Sequence, residues 1–117
     1  MITTEMQPHV DAMVAVSEGK RVLWLDHTLT LANEAFEQAT QALADADQIT
    51  RVNGQKSISY RKGGRIDFRS AQQMKFGALR GAHYDIAYVP DDLSAEAQAE
   101  LTVNTRLSRV MTPIRLR

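Results

Sequence analysis

The sequence predicts a three-layer α/β domain: a mostly parallel sheet carrying a β-hairpin, with helices packed on its faces. Three observations carry this. Two short apolar runs, Lys20–Leu25 and Asp85–Val89, are rich in β-formers and suit strands buried on both faces, as a parallel sheet requires. Each ends in acidic residues and leads into a helical pattern, and Val22–Leu43 reads as half of a βαβ unit. Between them, Ser57–Tyr60 and Arg65–Arg69 alternate apolar with polar residues around Arg61–Gly64, so they read as a hairpin with one wet face.

In chain order, Thr3–Pro8 predicts a helix start, with a threonine cap and a proline tolerated in the first turn. Met6, Val10, Met13 and Val14 fall on one face of that helix, and Gly19 is its stop. After the first strand comes Asp26-His27-Thr28. Either Thr28 or Thr30 can cap the second helix, whose stripe is Leu31, Ala32, Ala35, Phe36, Ala39 and Leu43. Ile49 to Gly54 reads as a short strand and a turn, and Ser70 to Gly81 as a short helix and a glycine-bounded loop. The second apolar strand stops at Pro90, which has no N–H to give a ladder. Ser94, Glu96, Leu93, Ala97 and Leu101 then describe a helix, and Arg109–Arg117 an extended segment interrupted by Pro113.

Composition narrows the chemistry. At 117 residues, 44% hydrophobic and 24% charged, the chain is long enough for one domain with a real core. A net charge of zero argues against a strongly electrostatic nucleic-acid binder while leaving room for a local basic face. With no cysteine, disulfides, thiol nucleophiles and cysteine-bound metals are excluded. No apolar run approaches the roughly 20 residues that span a bilayer, so no membrane association is expected. No basic leader opens the chain, which makes the cytoplasm the expected compartment. No G-x-S-x-G elbow supports a hydrolase, and no catalytic residue is assigned.

Two sets of residues could carry a function. Asp26 and His27 end one predicted strand, and Asp91 and Asp92 follow the other. If the strands are parallel neighbours, these four meet at the carboxyl edge, where α/β sheets bind ligands. Carboxylates with one imidazole would suit a divalent ion such as Mg²⁺. The competing reading makes Asp26 and Asp91 caps of the following helices or turns. The second set is Arg61, Lys62, Arg65 and Arg69, with Arg80 nearby. They could touch the phosphates of DNA, with Tyr60 or Phe68 stacking on bases, or form the solvated surface of the hairpin. Trp24 is expected in the core, His9 exposed in a first helical turn, and His83 in a structural role.

Three segments together resemble one family. KRVLWLDHTLTLANEAF is similar to the strand and helix that follow the phosphate-binding helix of P-loop helicases and phage terminase ATPases. SISYRKGGRIDFRSA and LRGAHYD resemble the approach to the acidic Walker B strand of terminase large subunits: a hairpin, a Ser-Ala step, Arg-Gly, then Tyr-Asp, four apolar residues and Asp-Glu. Here Ile86–Val89 are the four residues. Pro90 stands where the metal-binding Asp is expected and Asp91 where the catalytic Glu is, or, with one residue inserted, Asp91-Asp92 are the pair. Met111-Thr112-Pro113 resembles the Thr-Pro of the coupling motif. The resemblance implies a RecA-like or Rossmann-like half core and a phage or mobile-element origin. It does not imply ATP hydrolysis, because G-x-x-x-x-G-K-[ST] is not found: Gly19-Lys20 is followed by Arg21. Without that loop, no nest of backbone N–H groups cradles the phosphates. The expectation is a non-hydrolysing binding or assembly module acting on a protein partner or on its own copies through an open sheet edge. A nucleic-acid binder is the alternative, and a metal-dependent enzyme the third.

Overall fold

The computed structural model describes residues 7–52, 54–74, 83–90, 95, 96, 99 and 105–111. Its strands are β1 (Arg21–Asp26), β2 (Gln48–Thr50), β3 (Ser57–Ser59), β4 (Arg65–Ser70), β5 (Tyr84–Pro90) and β6 (Thr105–Met111). Its helices are α1 (Gln7–Ser17), α2 (Leu29–Ala42) and the single turn α3 (Ala71–Met74), and Ala95, Glu96 and Ala99 are also helical. One six-stranded sheet runs in the order β2-β3-β4-β1-β5-β6. β1 is parallel to both β4 and β5, and β5 is parallel to β6. β3 is antiparallel to β2 and to β4, so the hairpin extends into a three-stranded meander at one side. This is the predicted three-layer α/β architecture, with the two apolar strands side by side.

β1 is central because its side chains can be buried on both faces. Val22 and Trp24 enter one core with α1 and α2, while Leu23 and Leu25 enter the other with Tyr84, Ala87 and Val89. In the first core, Trp24 stacks on Tyr88 at 5.7 Å and Phe36 meets Phe68 edge-on at 5.6 Å.

Gly19 ends α1 through two backbone bonds, Gly19 N–H to the Val16 carbonyl and Lys20 N–H to the Ala15 carbonyl, both 3.0 Å. This is the Schellman arrangement, and Gly19 takes the left-handed conformation it needs (φ +91°). The buried face of α1 is shifted from the predicted one: Met13 packs, partly buried, against the core as expected, but Val14 does not. Ala12, Ala15 and Val16 point inward and Val14 is 48% exposed. Small side chains let the helix axis sit close to the sheet, and this outweighs the larger Val14. His9, expected in solvent, is half-buried with its ring 4.5 Å from that of Trp24. The predicted start at Thr3–Met6 lies outside the described residues.

α2 follows its prediction, with Thr28 as the cap: it is extended (φ −124°, ψ 158°), and its Oγ1 accepts the Leu31 N–H at 3.2 Å. Ala32, Ala35, Phe36 and Ala39 form the buried stripe. The hairpin departs from its prediction. Its supposed wet face is covered: Ser57 and Asp67 are as buried as Ile66 and Phe68. β4 is an interior strand between β3 and β1, and Asp67 is tolerated there because its oxygens have partners. The final strand begins at Thr105, ahead of the predicted Arg109, and residues 112–117 lie outside the described residues.

Candidate functional site

Two places in the fold gather groups with chemical or binding potential: the carboxyl edge of β1 and β5, and the edge at β6. At the carboxyl edge, the register pairs Val22 with Ile86 and Trp24 with Tyr88. Continued two residues, it sets Asp26 beside Pro90, so the two strand ends are neighbours. Asp26 is 6% exposed, and its Oδ2 accepts the Trp24 Nε1–H at 2.9 Å. Asp26 is therefore not the cap of α2, a place Thr28 fills. His27 is exposed, while Asp91 and Asp92 lie outside the described residues. Among the described residues, no three His, Asp or Glu side chains stand close enough together to hold a metal ion. Of the four candidate metal ligands, the described ones are thus a buried carboxylate held by an indole and an imidazole facing solvent.

The basic set is dispersed over the hairpin. Arg61 and Lys62 are exposed in the β3–β4 turn. The Arg61 backbone N–H donates to Asp47 Oδ2 at 2.6 Å, tying this turn to the α2–β2 connection. Arg65 Nε donates to Asp67 Oδ1 at 2.7 Å. Arg69 Nη1 donates to the carbonyls of Lys56 and Phe68, each at 2.9 Å. Arg80 lies outside the described residues. The proposed stacking groups are also engaged. Phe68 is in the core, and Tyr60 donates its hydroxyl to Asp45 Oδ1 at 2.7 Å. Partial burial, the Asp45 bond and the charges of Asp45 and Asp47 push the Tyr60 phenol up to about 12.

One cluster was not read from sequence. Asp67 Oδ2 accepts the Tyr84 hydroxyl at 2.6 Å while Oδ1 takes Arg65, so one buried carboxylate bridges β4 and β5 across β1. Burial first, and the Asp67 charge second, raise the Tyr84 phenol far above its ordinary value, so Tyr84 stays a neutral donor. An aspartate flanked by Ile66 and Phe68 was the available signal, since a charge inside a strand needs a partner.

The sheet's two edges differ. β2 is three residues long, and β6 is seven. Among the described residues, no strand lies beyond β6. No helix is long and apolar enough to cross a membrane among the described residues. The fold and these edges define the chain as an α/β protein with a mostly parallel sheet. Comparison with protein-family models, curated proteins and solved structures finds no match.

Proposed function

We propose that the chain is a non-hydrolysing assembly module, built on a sheet of the helicase and phage terminase ATPase type, that works by strand addition at β6. The observation that carries this reading is the contrast between the edges. A seven-residue strand at the end of a parallel series has, among the described residues, no strand on its outer side, and so offers a longer row of N–H and C=O groups for pairing than the three-residue β2 at the opposite edge. The family resemblance supports the scaffold, and the missing P-loop motif supports binding over turnover. A second copy is the partner of choice. Two-fold pairing must be antiparallel, and centred on Ser108 it sets Arg106 opposite Val110 and Leu107 opposite Arg109, with no like charges directly opposed. Binding to DNA is not favoured, because Arg65 and Arg69 bond within the fold.

Sedimentation over a concentration series tests the reading. The expected result is a dimer of the 13.1 kDa chain at micromolar concentrations. Successive residues of a strand turn their N–H groups to opposite sides. Of Leu107→Pro and Ser108→Pro, one therefore strikes the β5–β6 ladder and the other the outer edge. The edge variant should stay folded and become monomeric. A wild-type chain that is monomeric at about 1 mM overturns the proposal.

A further inference from the structure

Asn53 is the one asparagine of the chain that is followed by glycine. The pair Asn53-Gly54 lies in the connection from β2 to β3. Val52 on one side is 57% exposed, and Gln55 on the other is exposed as well. Gly54 takes φ +83°, a conformation that leaves the chain dependent on a glycine there. The Gln55 N–H donates to the Val52 carbonyl at 2.9 Å and closes a turn around Gly54. Gln73 Nε2 donates to the Gly54 carbonyl at 2.8 Å. Neither bond uses the Gly54 nitrogen, and no Cβ screens it.

We propose that Asn53 is a site of spontaneous deamidation, which converts the β2–β3 connection into an acidic and partly isomerised form. The nucleophile is the Gly54 backbone nitrogen. It gives its proton to a solvent base and bonds to Asn53 Cγ. The Cγ–Nδ2 bond then breaks, and Nδ2 leaves as ammonia. Water opens the five-membered imide that results. Attack at Cγ yields aspartate, and attack at the Asn53 backbone carbonyl yields isoaspartate, whose chain runs on through Cβ and Cγ. The sum is one amide and one water converted to one carboxylic acid and one ammonia, with no change of oxidation state. Exposure of the flanking residues admits both base and water. Asn33 differs: it is followed by Glu34 inside α2, where the helical ladder holds the next N–H.

Both products carry a new carboxylate, which takes the net charge from zero to −1. It arises within three residues of Arg51 and Lys56, whose cations lie over the Phe36 ring at 5.5 and 5.3 Å. Isoaspartate also adds one backbone atom, which puts the Val52–Gln55 turn and the Gln73 bond out of register. Gln73 accepts the Ser70 N–H at 2.8 Å, so the change reaches the end of β4. β2 and β3 lie at the side of the sheet away from β6, and the inference holds whether or not β6 pairs.

The test incubates the folded full chain at pH 8.5 and compares it with a fresh sample. Trypsin cuts after Arg51 and Lys56 and frees residues 52–56 as one peptide. Mass spectrometry should find that peptide heavier by about 1 Da, in two chromatographic forms, aspartyl and isoaspartyl, while the peptide holding Asn33 keeps its mass. Conversion should be several-fold slower at pH 6.5, because the attacking nitrogen must first lose its proton. Asn53→Ser should leave residues 52–56 at constant mass throughout. No conversion of Asn53 in the folded chain over about a month overturns the inference, whatever the urea-unfolded chain does. So does conversion of Asn33 as fast as Asn53, or a rate that does not rise with pH.

Discussion

Gly64 gives the sharpest test of how the meander is joined to the first helix. It lies in the β3–β4 turn at φ +92°, and a Cβ there would run into the Val16 carbonyl oxygen at the end of α1. Backbone bonds hold the approach on both sides: Tyr60 N–H donates to the Gly64 carbonyl and Arg65 N–H to the Lys20 carbonyl, each at 3.0 Å. Gly64→Ala therefore carries two penalties. The left-handed conformation costs about 1–2 kcal/mol for a residue with a Cβ, and the overlap with a backbone oxygen that cannot rotate away adds about 1–3 kcal/mol. Gly19→Ala separates them, since Gly19 has nearly the same φ, +91°, and a Cβ there meets nothing within 4 Å. Urea unfolding followed by the fluorescence of Trp24, the single tryptophan, should show Gly64→Ala about 2–5 kcal/mol less stable than wild type and Gly19→Ala, which carries the first penalty alone, about 1–2. Equal losses in the two variants would refute the close-approach argument.

Two further predictions concern the tyrosines. Tyr84→Phe removes a donor from the buried Asp67 and should cost about 1–3 kcal/mol. Combined with Asp67→Asn, it should lose less than the sum of the single changes, as a double-mutant cycle would report. For Tyr60, the folded chain holds its proton up to about 12 while the unfolded chain releases it near the ordinary 10. The stability from this group is therefore complete below pH 10 and declines as pH rises through 12. Urea stability measured at pH 9 and pH 11.5 should fall less in Tyr60→Phe than in wild type, and parallel declines would contradict the assignment.

How far the sequence could be read depended on whether a residue's partner was local. β1, β5 and α2 were legible because double burial makes a parallel strand uniformly apolar and Thr28 is a local cap. On α1, Met13 was placed correctly but Val14 was not, because hydrophobicity favoured Val14 over Ala12 and Ala15, while close packing against a sheet favours small side chains. The covered hairpin face depended on Tyr84, seventeen residues beyond Asp67, and alternation alone cannot report such a partner. The pairing of Trp24 with Asp26 was within reach, since residues two apart in a strand share a face. The neighbouring strand ends at Asp26 and Pro90 were anticipated from the general placement of ligand sites in α/β sheets. The internal bonding of Arg65 and Arg69 was not, because it depends on tertiary geometry.

The position of β1 has a consequence for synthesis. Residues 21–70 complete four adjacent strands, β2-β3-β4-β1, without help from later sequence, whereas the other edge of β1 waits for β5. A nascent chain would thus carry a nearly finished half-sheet with its most apolar strand uncovered along one side, an interval in which mispairing with another emerging chain is the main hazard. Pulsed hydrogen exchange during refolding should protect amides of β4 before those of β6, and simultaneous protection would argue for a single concerted closure.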